Sequence, residues 1–347
     1  MRTPDTNHNA RQKQLPYIEP PFCTYQYYAS PGVVAMQNPT AYNHYLSHSI
    51  LLTCGRRFLS GYTSPDLYVH HLTLGDLHFV HHIDVKRSFI DGCELDVIRN
   101  MIDEDYYVCF NMVDIFYIDN ILWSGEKHHL HDGMICGYDD NDHTLTIAAY
   151  DNRWIYRSFK ASQESFVNAL VHGKEQGGYD GFIGLKPKND TVLLNIHAIA
   201  EHLEDYLSPD LYGTSFEGPD PVRGIIVHDY LRLYLQFLLD GEIPYDRKDR
   251  RIMRLIYEHK KCMADRIAAV ENKLGCPPDF SSRYALAVES ANRAHTYYVA
   301  HRMKQKDELL RLIQKELATM KAVEEDVLPD VLKLIKEAQN AVESSET

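Results

Sequence analysis

No apolar run in this 347-residue chain approaches the ~18 residues that a membrane-spanning helix needs. The N-terminal stretch MRTPDTNHNARQKQ lacks the apolar core of a secretory signal. A surplus of positive charge is missing too. There are 36 Lys and Arg against 49 Asp and Glu, a formal charge of -13, and this argues against nucleic acid as the main partner. The seven cysteines are odd in number and show no paired spacing, which points to reduced thiols in a cytoplasm. Neither H-E-x-x-H nor Cys-x-x-Cys occurs, so no metal and no cofactor is expected. No internal repeat is evident, and low complexity is confined to the C-terminal SSET.

What is present begins with an ordinary apolar content of 44%, enough for a sizeable core. The 19 histidines and 24 tyrosines suggest a polar, aromatic-lined pocket. The stretch from His128 to Asp151 reads as a tight β-hairpin. Asp139, Asp140, Asn141 and Asp142 form the turn, because Asx side chains bond their own backbone and tolerate bent geometry. His131 opens the first strand and Asp151 closes the second. Antiparallel pairing is expected to set them side by side, an imidazole next to a carboxylate, the base and orienter of a nucleophilic triad.

Around this hairpin, residues 16–31 read as an extended arm. A first helix is expected over Tyr45–Leu59, with Ser47, Leu51, Cys54 and Phe58 on one face and Gly61 as its stop. Ser47 would sit near the start of that helix, where the dipole stabilises an anion, and Cys54 two turns deeper. The bland alternatives are a helix cap for Ser47 and a small core residue for Cys54. His70, His71, His78, His81 and His82 read as loop and pocket wall rather than as ligands. Strands are expected at Tyr106–Asp114, Trp154–Phe159 and Gly181–Leu185, and a short helix capped by Ser162. Lys186–Asp190 is a polar break. Beyond it the period is helical, with long helices near 252–270 and from Tyr284 to about Met320, and Pro329 dividing off a last one. The fold class is therefore α+β: a domain with a central antiparallel sheet over residues 1–188, then a helical annex over 189–347.

The order of parts is that of papain-like enzymes, and the chain resembles the family of butirosin biosynthesis protein H. The similar pieces are the strand ending in Asp114, H-D-G-M-I-C-G-Y-D at His131–Asp139, the acid Asp151, and the helix Tyr245–Ile267. The resemblance implies a papain-like fold and acyl transfer in a natural-product pathway, non-ribosomal peptide or related antibiotic. An acyl or aminoacyl group would move from a carrier-protein thioester to a small-molecule amine. Carried over by position, His131 is the general base and Asp151 its orienter. The family pattern puts a cysteine at the start of the first helix, whereas this chain has Ser47, His48 and Ser49 there. Either Ser47 is the nucleophile, or Cys54 serves, or the site has none. A thioester hydrolase or peptidase on the same fold, and a non-catalytic binding or scaffold relative, are the other readings. The partners implied are an acyl or peptidyl carrier protein and an amine acceptor, with self-association into a homo-oligomer left open.

Overall fold

The computed structural model describes residues 11–60, 63–208, 221–244 and 248–346. The fold is α+β, and every strand pairing is antiparallel. The chain divides into two compact units. Met1–Ala41 and Thr73–Thr191 form the first, and Tyr42–Leu72 and Val192–Thr347 form the second. Residues 42–72, read from sequence as part of the first domain, thus belong with the helices.

The first unit is built on one sheet. Its strands are β1 (Gln12–Gln14), β4 (Val80–Lys86), β5 (Tyr107–Asp114), β6 (Leu130–Asp139), β7 (Thr144–Tyr150), β8 (Tyr156–Ser162) and β9 (Gly181–Pro187). Their order is β4-β9-β5-β6-β7-β8, with β1 also on β6. The hairpin of β6 and β7 forms where the Asx cluster predicts it, and Asp139 Oδ1 accepts from the N–H groups of Asn141 and Asp142. Helices α1 (Gln26–Ala35), α3 (Glu94–Asp103) and α4 (Gln163–Glu175) pack on the sheet. Ser162 caps α4 by accepting from Ser165 N–H, as its sequence suggests. Val108, Met134, Ile135, Ile147, Ala148 and Phe166 are completely buried.

Residues 16–31 do not remain an extended arm. Their last six residues begin α1, despite Pro31 and Gly32 inside it, because nine of the helix's ten residues find buried positions. The histidines at 81 and 82 lie on the edge strand β4, not in a loop.

The second unit holds α2 (Tyr42–His48), a small sheet in the order β10-β2-β3, and a helical assembly. The strands are β2 (Leu52–Cys54), β3 (Leu67–Val69) and β10 (Val222–Arg223). The helices are α5 (Ile196–Leu207), α6 (Val227–Leu239), α7 (Ile252–Leu274), α8 (Phe280–Lys304) and α9 (Asp307–Glu346). Three expectations fail here. The helix over Tyr45–Leu59 stops at His48, because the short apolar run that follows pairs as a strand. Such a run is compatible with either state until its partners are known. Its supposed stop, Gly61, lies outside the described residues. The single helix from Tyr284 to Met320 breaks at Gln305, which adopts a left-handed conformation (φ 49°). Pro329 does not end a helix: it sits exposed inside α9 while Val327, Leu328 and Val331 carry the buried face past it. No helix of the described residues is long and apolar enough to cross a membrane.

Candidate active site

The two ends of the hairpin diverge. Pairing of β6 with β7 begins at Met134↔Ala148, while His131 lies opposite Val113 of β5 and Asp151 bridges to Ile121. Asp151 is completely buried, and its carboxylate is used by its own turn. Oδ1 accepts from Arg153 N–H (2.8 Å) and Ile155 N–H (2.9 Å), and Oδ2 accepts from Arg157 Nε (2.5 Å). Burial works to raise its pKa, but the donors Ile155, Arg157 and Arg153 prevail and hold it below the usual carboxylate range. His131 is not among its partners, so the expected orienter is a turn-building residue. His131 instead turns Nδ1 toward the Asp132 carbonyl at 3.2 Å. A carbonyl only accepts, so this contact is a hydrogen bond in the tautomer that carries a proton on Nδ1.

The described residues of this unit do form one imidazole–carboxylate pair on a buried acid, and it is built from neighbours of the expected one. His128 Nδ1 lies 2.8 Å from Asp114 Oδ2. The Asp114 side chain is fully buried, whereas 56% of the His128 side chain is exposed. Asp114 closes β5 and also accepts from Phe116 N–H, His129 N–H and the Gln176 amide. Burial raises its pKa and these donors, His128 first, more than reverse it, so the acid stays ionised. The His128 ring stacks on Phe116 with centroids 4.1 Å apart, which fixes its orientation. Sequence reasoning passed over this pair, although its members are 14 residues apart, because it sought the carboxylate at the far end of the hairpin. The signal available was the lone acid at the end of β5.

Ser47 and Cys54 lie in the second unit and neither is poised as a nucleophile. Ser47 is buried in the last turn of α2, not at its start. Its Oγ donates to Asn43 O (2.7 Å) and accepts from Asn195 N–H (2.9 Å), so the hydroxyl is a structural tie. Cys54 is a strand residue with no exposure, and burial, with Asp66 adding to it, pushes its thiol strongly upward. A protonated, enclosed thiol is a packing residue.

A different cysteine lies near the start of a helix. The first helix of the described chain is α1, and Cys23 stands just before its cap, Tyr25. Tyr150, the last residue of β7, donates its hydroxyl to the carbonyls of Cys23 and Thr24. Gln26, the first residue of α1, donates its side-chain amide to the Asp132 carbonyl, the same oxygen that His131 approaches. The start of α1 is thereby tied to the beginning of β6 and the end of β7. Cys23 is buried, at 3% exposure. Asp151 and His131 are thus brought to the same end of the sheet as Cys23, but without a mutual hydrogen bond. No family model and no curated protein matches the chain.

Proposed function

We propose that the chain is an acyltransferase with a papain-like site, moving an acyl group from a carrier-protein thioester to an amine, with Cys23 as nucleophile and His131 as base. The observation that carries this reading is the tie of the α1 start to β6: Gln26, three residues beyond Cys23, and His131 meet at the Asp132 carbonyl. A helix start favours the thiolate and the oxyanion that follows, because its N–H groups and dipole face the developing charge. In the first step His131 Nε2 takes the thiol proton and Sγ attacks the thioester carbonyl. The bond to the carrier sulfur breaks, and that sulfur leaves with the proton from His131. In the second step the amine attacks the acyl-enzyme, His131 takes the amine proton, and Cys23 is released as the thiol once the proton returns to it.

The test is intact-mass measurement after incubation with an acyl-N-acetylcysteamine thioester. The protein should gain the mass of one acyl group. Cys23→Ala should abolish the gain, while Ser47→Ala and Cys54→Ala should keep it. An adduct that survives in Cys23→Ala overturns the assignment. The His128–Asp114 pair favours a second reading, in which that imidazole deprotonates the amine directly and no acyl-enzyme forms. Transfer that persists in Cys23→Ala but fails in His128→Ala would select it.

A further inference from the structure

The second unit encloses two imidazoles that the proposed chemistry does not use. His228 lies in the first turn of α6 and His259 within α7, and both are completely buried. Each ring spends one nitrogen on a backbone carbonyl. His228 Nδ1 lies 2.9 Å from Ile225 O, and His259 Nε2 lies 2.7 Å from Ile50 O. These contacts are hydrogen bonds in the tautomers that carry the proton on those nitrogens, and the opposite nitrogen of each ring is then the basic one. Neither His228 Nε2 nor His259 Nδ1 has a hydrogen-bond partner among the described residues.

The carboxylates nearest these rings are already paired. Glu324 Oε1 of α9 lies 2.6 Å from the Lys260 ammonium of α7, and neither side chain has any exposure. Tyr284 of α8 and Tyr206 of α5 donate their hydroxyls to the same carboxylate. Burial raises both phenols far above their ordinary value, so they stay neutral. His228 Nε2 faces Glu324 Oε2 at 3.5 Å, and Asp229, beside it on α6, is held by Lys321 of α9. His259 stacks on the Tyr206 ring, and the charges that act on it come from Lys260, Arg266 and His228. A proton added to either ring thus brings a further positive charge into a dry cluster. Burial, then Lys260, push His228 down to about 4, against the pull of Glu324, the Ile225 carbonyl and Asp229. Burial and Lys260 drive His259 well below the ordinary imidazole value, Arg266 and His228 add to them, and the Ile50 carbonyl opposes.

Both rings are neutral in the folded chain and free to charge once it unfolds. The unfolded chain therefore binds the extra protons. The stabilisation is intact above the unfolded value of ~6.5 and is lost as pH falls below it. The first unit has no buried histidine among its described residues, and its buried acids Asp114 and Asp151 are lowered, so they protonate only in stronger acid. We propose that His228 and His259 make the helical unit an acid-sensitive device, which opens in mildly acid surroundings by taking up a proton at each ring while the sheet unit keeps its fold.

The experiment is urea unfolding of the full chain at about pH 7.5 and about pH 5.5, read by two probes. Far-UV circular dichroism is dominated by the long helices α7, α8 and α9, all in the second unit. Tryptophan emission reports the first unit, because Trp123 and Trp154 both lie there. Acidification should raise the unfolded-to-folded ratio of the helical transition by about 10-fold for each ring, and leave the tryptophan transition nearly in place. His228→Gln and His259→Gln should each remove about 10-fold of that dependence, whatever their stability near neutral pH. His202, His295 and His301, which burial also lowers, account for what remains in the double variant. Should a variant fail to fold, exchange of the imidazole C2 protons in the wild-type chain, read by mass spectrometry, titrates each ring by itself. Neither ring should then be half-protonated above about pH 5. A helical transition that acid leaves unmoved overturns the proposal, as does pH dependence retained in full by both variants. A native titration near ~6.5 at either ring, or a tryptophan transition that shifts as far as the helical one, overturns it too.

Discussion

Asp114 and Asp151 solve the same local problem. Each is a fully buried carboxylate at the end of a strand, and each collects the N–H groups of the turn beyond it. Their pKa values lie below those of the unfolded chain, so the sign of the pH effect is fixed. The stabilisation is fully present above the ordinary carboxylate value of ~3.9 and is lost as pH falls through the lowered native values. Asp114→Asn should therefore lower stability by about 1–3 kcal/mol in urea unfolding at pH 7. The gap to wild type should narrow below about pH 4. Gly133 is constrained by neighbours rather than by its backbone, since an added Cβ would meet the Phe110 ring. Gly133→Ala is expected to cost about 1–3 kcal/mol by the same measurement, because the ring must move in a packed core. At this scale the sequence revealed residue types and turn chemistry. It did not reveal pairing: nothing local to Asp114 or His128 announces that they touch, and Asp151 looked like an orienter because the Arg157 contact arises only after β8 folds back.

Among the elements, one polar cluster joins five helices of the second unit. Glu324 of α9 accepts from Lys260 of α7 (2.6 Å), Tyr284 of α8 (2.5 Å) and Tyr206 of α5 (2.8 Å), and His228 of α6 lies 3.5 Å away. Lys260 and Glu324 are both completely buried. Removing either partner alone leaves an uncompensated buried charge. Lys260→Met and Glu324→Leu are each expected to destabilise by about 3–5 kcal/mol. The double variant should lose much less than the sum, a difference that a double-mutant cycle reads directly. Element types were legible wherever the apolar period was long, as in α7, or the turn chemistry specific, as between β6 and β7. They were illegible where a local signal opposed the fold. Pro31 and Gly32 disguised α1. The run Ile50–Cys54 is too short for periodicity to separate strand from helix.

For the whole molecule, the decisive feature is that residues 42–72 belong with the helices rather than with the sheet that flanks them in sequence. Arg266 of α7 donates to the carbonyls of Tyr45, Leu46 and Ser49, and His259 donates to Ile50 O. Buried donors of this kind need acceptors, and these carbonyls supply them. A fragment of residues 192–347 should consequently melt early and without cooperativity by circular dichroism. Adding a peptide of residues 42–72 should raise its melting temperature. Native-like cooperative melting of the fragment alone would contradict this role. Such membership is set by long-range contacts and leaves no mark on composition or period, which is why a single boundary near residue 188 looked sufficient.

The same discontinuity bears on synthesis. Strand β9, which fits between β4 and β5, is complete by Pro187, so the sheet can close early. Residues 42–72 have by then left the ribosome, yet the helices that shelter Leu46, Ile50 and Leu52 do not exist. Translation of residues 192–347 takes roughly 8–30 s at 5–20 residues per second. For that interval an apolar loop hangs from a finished body, a ready target for chaperones and proteases, and slower translation downstream of residue 191 would lengthen its exposure.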